Sequence, residues 1–296
     1  RGVHFPKTAL IGVGLLGGSL GLAIQKRKLS EKVVGYVRRE ASMAACLEHA
    51  VVSEATMDLV AAVRDADLIV FCTPLAQMRD LAQQAAPHLK PGAIVTDVGS
   101  VKGPVVEEIE PIIGETEACF IGSHPMAGSE QSGPGAARAD LFDHSVCILT
   151  PTERTPAEPL SKLEAFWEAV GSQILRLTPD LHDNLTGRSS HLPHIVAAGL
   201  ANYILSPAHA DEQAQICATG FGDTTRVASG SPEMWRDIVM MNRKHLQRVL
   251  GVFVEDLQEF SHALERNDAA AVTEFFEVGK QRRDEWQTLF DERNQS

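Results

Sequence analysis

Three histidines, one arginine and a glycine-rich loop are the residues here whose types and spacing could carry a reaction. His124 stands in GSHPMAGSEQSG (122–133), a stretch too small and polar to build a core, in which Pro125 prevents a helix from running through the histidine. His191 and His194 stand in SSHLPH (189–194). They share one face if the segment is helical, and Pro193 between them is expected to kink that helix by removing a backbone hydrogen bond. Arg226 follows Asp223 in GFGDTTRVASGSPEMW (220–235). That pair reads either as a loop ion pair, worth little if exposed, or as a carboxylate clamp in which Asp223 orients the guanidinium. Imidazole exchanges protons near neutrality, and a fixed arginine holds an anionic substrate in the orientation that hydride or proton transfer needs. The HxxH spacing could also open a zinc site, but no third ligand stands at a recognisable distance, so no metal is expected.

The second chemical feature is GVGLLGG (12–18), a Gly12-x-Gly14-x-x-Gly17 loop between an expected strand and an expected helix. Gly12 permits a tight turn, Gly14 lets backbone approach a pyrophosphate, and Gly17 lets helix and strand pack closely. Gly12, Gly14, Leu15, Leu16 and Gly17 are therefore the expected dinucleotide contacts, with the helix amides facing the phosphates. An NAD site of this kind places an acid at the end of the second strand to hold the ribose hydroxyls. Here Val37 stands there, followed by Arg38 and Arg39. Two guanidiniums suit a 2′-phosphate, so NADP is favoured, with NAD possible.

The elements that must position these groups are legible as alternation. TALIGV (8–13), VVGYV (33–37), LIVFC (68–72), AIVTDV (93–98) and ACFIG (118–122) read as strands buried on both faces. Helix-compatible segments lie between them, which argues a parallel sheet with crossover helices. SVCILT (145–150) and QILRL (173–177) are expected to extend that sheet. Thr73 and Pro74 end one strand, Ser100 follows another as the expected N-cap of the next helix, and His124 follows a third. All three ends lie where open α/β sheets bind ligands. At Thr178-Pro179, a cap and first-turn signal, strand patterns stop. Leu246, Leu250, Phe253, Leu257, Phe260 and Leu264 then follow four-three spacing, the seam of a helix that packs on helices, and a last helix is expected from about Asp268 to Leu289. The reading is α/β: a dinucleotide-binding domain over 1–178 and an all-α domain over 179–296. The long seam predicts a homodimer built through the helical domain.

Composition sets the limits. At 296 residues, 44% hydrophobic and 22% charged, the chain has enough sequence for two domains. A net charge of −12 argues against nucleic acid or an anionic membrane as main partner. Five scattered cysteines without CxxC spacing fit buried thiols in a reducing cytoplasm. No apolar run approaches the length of a membrane span. The sequence opens on Arg1 rather than Met, which allows for residues upstream.

Together GVGLLGGSL, VGYVRR, CTP, DVGSVKG, GSHPMAGSEQSG, SSHLPH and GFGDTTRVASGSPEMW resemble, in order and over roughly residues 7 to 290, the prephenate and arogenate dehydrogenases of tyrosine biosynthesis. The resemblance implies a Rossmann-like domain followed by a helical dimerisation domain. It implies oxidative decarboxylation of prephenate to 4-hydroxyphenylpyruvate: C4 of the cyclohexadienyl ring gives hydride to NAD(P)+, CO2 leaves, and the ring becomes aromatic. His124 would accept the proton or hydrogen bond of the C4 hydroxyl. Ser100 would bind that hydroxyl or the nicotinamide end, His191 and His194 would contact substrate, and Arg226 would hold the side-chain carboxylate. Glu130 matches an acid at the site mouth. The NAD-using members carry an acid where Val37 stands, which leaves the choice of cofactor open. Arogenate, giving tyrosine directly, is the alternative substrate. A β-hydroxyacid dehydrogenase would need a lysine on the first helix of the second domain, and residues 179–206 contain none. A non-catalytic NADP-binding protein would not need the polar set of the helical half.

Overall fold

A computed structural model of the chain describes residues 2–129, 131–208 and 211–295. It contains two compact units, Arg1–Asn242 and Arg243–Ser296. The first unit opens with strand-helix alternation: β1 (Phe5–Ile11), α1 (Leu15–Lys26), β2 (Ser30–Tyr36), α2 (Glu40–Glu48), β3 (Glu54–Thr56), α3 (Leu59–Val63), β4 (Leu68–Phe71), α4 (Leu75–Ala85), β5 (Ile94–Asp97), α5 (Gly103–Gly114) and β6 (Cys119–Phe120). The six strands form one sheet in the order β3-β2-β1-β4-β5-β6, every neighbouring pair parallel. The short β3 and α3 carry too little pattern to be read from sequence.

Successive strand residues point to opposite faces, which separates the core into two clusters. Leu10, Val33, Leu68, Val70 and Ile94 lie on one side with Leu20 and Ile24 of α1. Ala9, Ile11, Val34, Ile69, Phe71 and Val95 lie on the other with residues of α3, α4 and α5. Burial on both faces is the reason these strands read as continuous apolar runs.

The chain does not extend this sheet beyond β6. β7 (Gly122–Pro125) pairs antiparallel with β8 (Val146–Thr150), and after α6 (Ala157–Ala169) β9 (Gln173–Arg176) pairs parallel with β8. The runs expected to lengthen the main sheet thus build a separate three-stranded one. The cause is local. After Ile121, whose amide still donates to the Val95 carbonyl at 2.9 Å, the ladder to β5 gives way to side-chain bonds: the Ser123 amide donates to Asp97 Oδ1 at 3.2 Å and the Ser123 hydroxyl to the Asp97 carbonyl at 2.7 Å. Released from the ladder, residues 122–125 take β8 as partner.

Helices follow: α7 (Pro179–Thr186), a π-helical turn over Gly187–His191, α8 (Leu192–Ile204), α9 (Asp211–Ile216), α10 (Thr219–Thr225), a 3₁₀ turn over Arg226–Ser229 and α11 (Pro232–Met241). Thr178 caps α7 by accepting the Leu181 amide at 3.2 Å, a contact worth about 1 kcal/mol. Ile238 of α11 joins the second core cluster, with Trp235 and Met241 packed against it. Contacts therefore divide the chain after Asn242, whereas the change from strands to helices falls at Thr178.

The second unit is a helical hairpin of α12 (Arg243–Glu265) and α13 (Ala269–Gln295). Phe260 packs on Phe275 and Phe276, with ring centroids 4.7 and 5.9 Å apart. Leu246 of the expected seam is buried, whereas Leu257, Leu264, Phe276, Trp286 and Leu289 are exposed. Among the described residues no helix is long and apolar enough to cross a membrane.

Candidate active site

The glycine loop has the geometry its sequence requires. Gly12 has φ +92°, and a Cβ there would lie 2.8 Å from Thr73 Cγ2 and 3.0 Å from Thr73 N. A Cβ on Gly17 would lie 2.3 Å from the Gly12 carbonyl oxygen, so helix and turn touch backbone to backbone. Beside Gly14 there is open space. Gly14 is the N-cap of α1 and no side chain caps the helix, so the first-turn amides are available to an anion. Leu15 and Leu16 are half-buried behind them. The cleft over this loop is lined by Gly12, Gly14, Val37, Arg38, Arg39, Thr73 and Pro74. Val37 turns into the core while Arg38 and Arg39 are exposed at the lip, and the Thr73 hydroxyl is buried without a partner.

Ser100 does not cap the following helix. α5 starts at Gly103, and its cap comes from Asp183: the Lys102 amide donates to Oδ1 and the Gly103 amide to Oδ2, each at 2.7 Å. A carboxylate with both oxygens on the first amides satisfies a helix start better than one hydroxyl, and Ser100 is left half-buried in the loop before it.

His124 is not on a loop past a strand but inside β7, opposite Ile148 and only 8% exposed. Its Nδ1 lies 2.8 Å from His182 Nε2, and His182 Nδ1 lies 2.7 Å from Asp183 Oδ1. Below them Lys102, fully buried, donates to Asp97 Oδ2. Asp97 also accepts the Gly99 amide at 2.9 Å. Burial holds the His124 imidazole well below its ordinary pKa, with His182, Lys102 and His191 adding to the effect. His182 is lowered by burial too, against the hydrogen bond it donates to Asp183.

The helical wall is built around a proline. Pro193 cannot donate to the preceding turn; it stands in the first turn of α8, where that amide is not needed, and a π-helical turn over Gly187–His191 runs into the helix. Such turns recur at functional sites. His191 is fully buried. The Asn242 amide reaches both its Nδ1, at 3.0 Å, and the Asp183 carbonyl, at 2.8 Å. His191 Nε2 is buried without a hydrogen-bond partner. His194 is half-buried. Its Nδ1 donates to the Ser190 carbonyl at 2.8 Å and its ring stacks on Trp235 at 3.6 Å. Arg226 opens the 3₁₀ turn after α10 and is exposed, as is Asp223. Glu130 lies outside the described residues.

The fold thus leaves Ser100 half-buried in the loop before α5 and brings His124 and His191 into one buried network. His182, Asp183, Lys102, Asn242 and Trp235 belong to it and escape a motif reading. Adjacent His and Asp one turn into a proline-started helix, PDLHD (179–183), were the available signal for the first two. Lys102 between Val101 and Val105 was the signal for a buried cation.

The family described as "Prephenate dehydrogenase, nucleotide-binding domain" matches residues 20–176, and that described as "Prephenate dehydrogenase, dimerization domain" matches residues 178–278. A prephenate dehydrogenase of Bacillus subtilis is 31% identical over 284 residues, which are 93% of this chain and 74% of that protein. A cyclohexadienyl dehydrogenase of Zymomonas mobilis is 32% identical over 281 residues, 94% of this chain and 95% of that one. Among solved structures, a prephenate dehydrogenase from A. aeolicus, in complex with hydroxyphenyl propionate and NAD+, superposes with a TM-score of 0.90 at 29% identity. That match covers 96% of this chain and 99% of the other.

Proposed function

The chain belongs to the prephenate dehydrogenase family, and from that premise we propose that it converts prephenate to 4-hydroxyphenylpyruvate and CO2 with hydride transfer to a nicotinamide dinucleotide, in tyrosine biosynthesis. The observation that carries the reading is His124: a neutral, buried imidazole, in the same compact unit as a loop where any Cβ on Gly12 or Gly17 would collide. That loop fits a pyrophosphate. Gly12, Gly14, Leu15, Leu16, Gly17, Thr73 and Pro74 would hold the dinucleotide, and the exposed Arg38 and Arg39 support NADP through its 2′-phosphate. The bound cofactor supplies a hydride acceptor.

The protein supplies the rest. His124 accepts the proton of the C4 hydroxyl as the C4–H bond breaks, and Ser100 hydrogen-bonds that hydroxyl. The oxidised ring is a vinylogous β-keto acid, so loss of its carboxylate as CO2 is driven by aromatisation. His194 contacts the substrate, and Arg226 anchors the side-chain carboxylate. His191 serves from behind, through Asn242, because its ring is fully buried. The dinucleotide-binding part is 1–178 and the substrate and dimerisation part 179–296. Exposed apolar side chains along α12 and α13 support a homodimer formed there. Five free cysteines support a cytoplasmic setting.

Assays of prephenate and arogenate against both cofactors test the reading: turnover should be highest with prephenate and NADP+, and Arg38→Ala should weaken NADP+ far more than NAD+. His124→Asn should lower kcat by about 10² or more while dinucleotide binding is retained. A rate near wild type in that variant removes His124 from the mechanism.

A further inference from the structure

Asp183 is the fixed point behind the base. Both of its oxygens accept hydrogen bonds from backbone amides at the start of α5. The ring nitrogen facing Oδ1 at 2.7 Å, His182 Nδ1, must therefore carry a hydrogen. In a neutral imidazole the other nitrogen then has only a lone pair. His182 Nε2 presents that lone pair to His124 Nδ1 at 2.8 Å, which makes His124 Nδ1 the donor. The lone pair of His124 is left on Nε2, the atom not engaged with His182. A helix start thus dictates the tautomer of the base through two rings.

Charge decides where a proton taken up by this cluster resides. Lys102, His182 and His191 face His124, while Asp183, Lys102 and Asp97 face His182. Lys102 and Asp97 neutralise each other in a fully buried pair. Asp183 remains to balance an imidazolium, and it touches His182 rather than His124.

We infer, resting on the reading of His124 as the base, that His182 is a proton-relay residue and Asp183 its positioning residue. When the C4 hydroxyl is oxidised, its O–H bond breaks and His124 Nε2–H forms, the hydride leaving C4 for the nicotinamide. The His124 Nδ1–H bond breaks in turn and His182 Nε2–H forms. The proton waits on His182 while the carboxylate departs as CO2 and its bonding pair makes the ring aromatic. It then returns through His124 to the phenolate oxygen, so no net proton is gained or lost.

Three measurements test this. His182→Asn should keep the NADP+ Kd within twofold, lower kcat/KM by about tenfold or more, and move the acid limb of the kcat/KM profile to lower pH. The sign follows from the pair: with His182 gone, only the buried His124 beside Lys102 can be protonated, and it resists. Loss of rate with an unmoved acid limb would mean that His182 is only structural, and would overturn the relay. If the variant does not fold, nitrogen NMR of wild-type protein near neutral pH still decides. His124 and His182 should both be neutral Nδ1–H tautomers, and an Nε2–H tautomer at either ring overturns the proposal. His124→Asn measured in parallel separates the two readings: a crippled His124 variant beside a wild-type-like His182 variant removes the relay alone, whereas an active His124 variant removes the base as well.

Discussion

Asp183→Asn is the substitution whose cost can be worked from the structure. The side chain is 2% exposed and accepts three N–H groups: Lys102 and His182 on Oδ1, Gly103 on Oδ2. An amide of the same shape must turn an NH2 toward one oxygen's partners. The cheaper orientation sets it against Gly103, since that strands one donor instead of two. An unsatisfied buried donor costs about 1–3 kcal/mol, and loss of a negative charge at a helix start costs about 0.5–2 kcal/mol in a buried setting. A loss near 3 kcal/mol is expected, out of a total stability of about 5–15 kcal/mol, so the variant folds. For a unit of this size that lowers Tm by about 6–12 °C. Thermal unfolding followed by circular dichroism measures it, with Ser100→Ala as the comparison because the structure takes the cap away from that residue. A Tm drop below about 2 °C for Asp183→Asn, or a larger drop for Ser100→Ala than for Asp183→Asn, would refute the assignment of the α5 cap to Asp183.

Other outcomes follow from the same geometry. Gly17→Ala should lower stability and dinucleotide affinity together, because its Cβ would meet the Gly12 carbonyl at 2.3 Å, whereas Gly14→Ala should leave Tm unchanged and weaken only the dinucleotide; isothermal titration beside thermal melts separates the two. Arg226→Ala should raise the KM for prephenate by about tenfold, the loss of one charged anchor, and an unchanged KM contradicts the clamp. Stability should also fall on acidification from pH 8 to 5.5. Burial holds His191 at about 4 and keeps His124 and His182 below their ordinary values, so the unfolded chain binds more protons as pH drops through about 6.5. His191 alone accounts for about 1 kcal/mol over that interval, and urea titrations that show equal stability at the two pH values would contradict its burial as a neutral ring.

Much of the fold was legible because its rules are local. β1, β2, β4 and β5 are buried on both faces and therefore read as apolar runs. β3, three residues long, exists because β2 offers it a ladder, and no local pattern announces that. The runs at 145–150 and 173–177 were recognisable as strands, but a run of apolar residues does not name its partner. That choice rested on Ser123 and Asp97, which end the ladder beyond β6. Pro193 announced an irregularity, yet a proline inside a helix and a proline in the first turn of one read alike until the fold sets where the helix starts.

By itself the sequence determined the groups whose constraints lie within a few residues: a turn that tolerates only Gly12, a Thr178-Pro179 helix start, and an imidazole beside Pro125. It could not determine the electrostatics of that imidazole. Between Lys102 and Asp183 lie 80 residues, and between His124 and His182 lie 57. Whether they meet depends on how α7 packs against α5 and β8. Once buried together, each donor must find an acceptor, and that requirement, set only in the tertiary structure, bears on which nitrogen of the histidine in residues 122–133 keeps its lone pair.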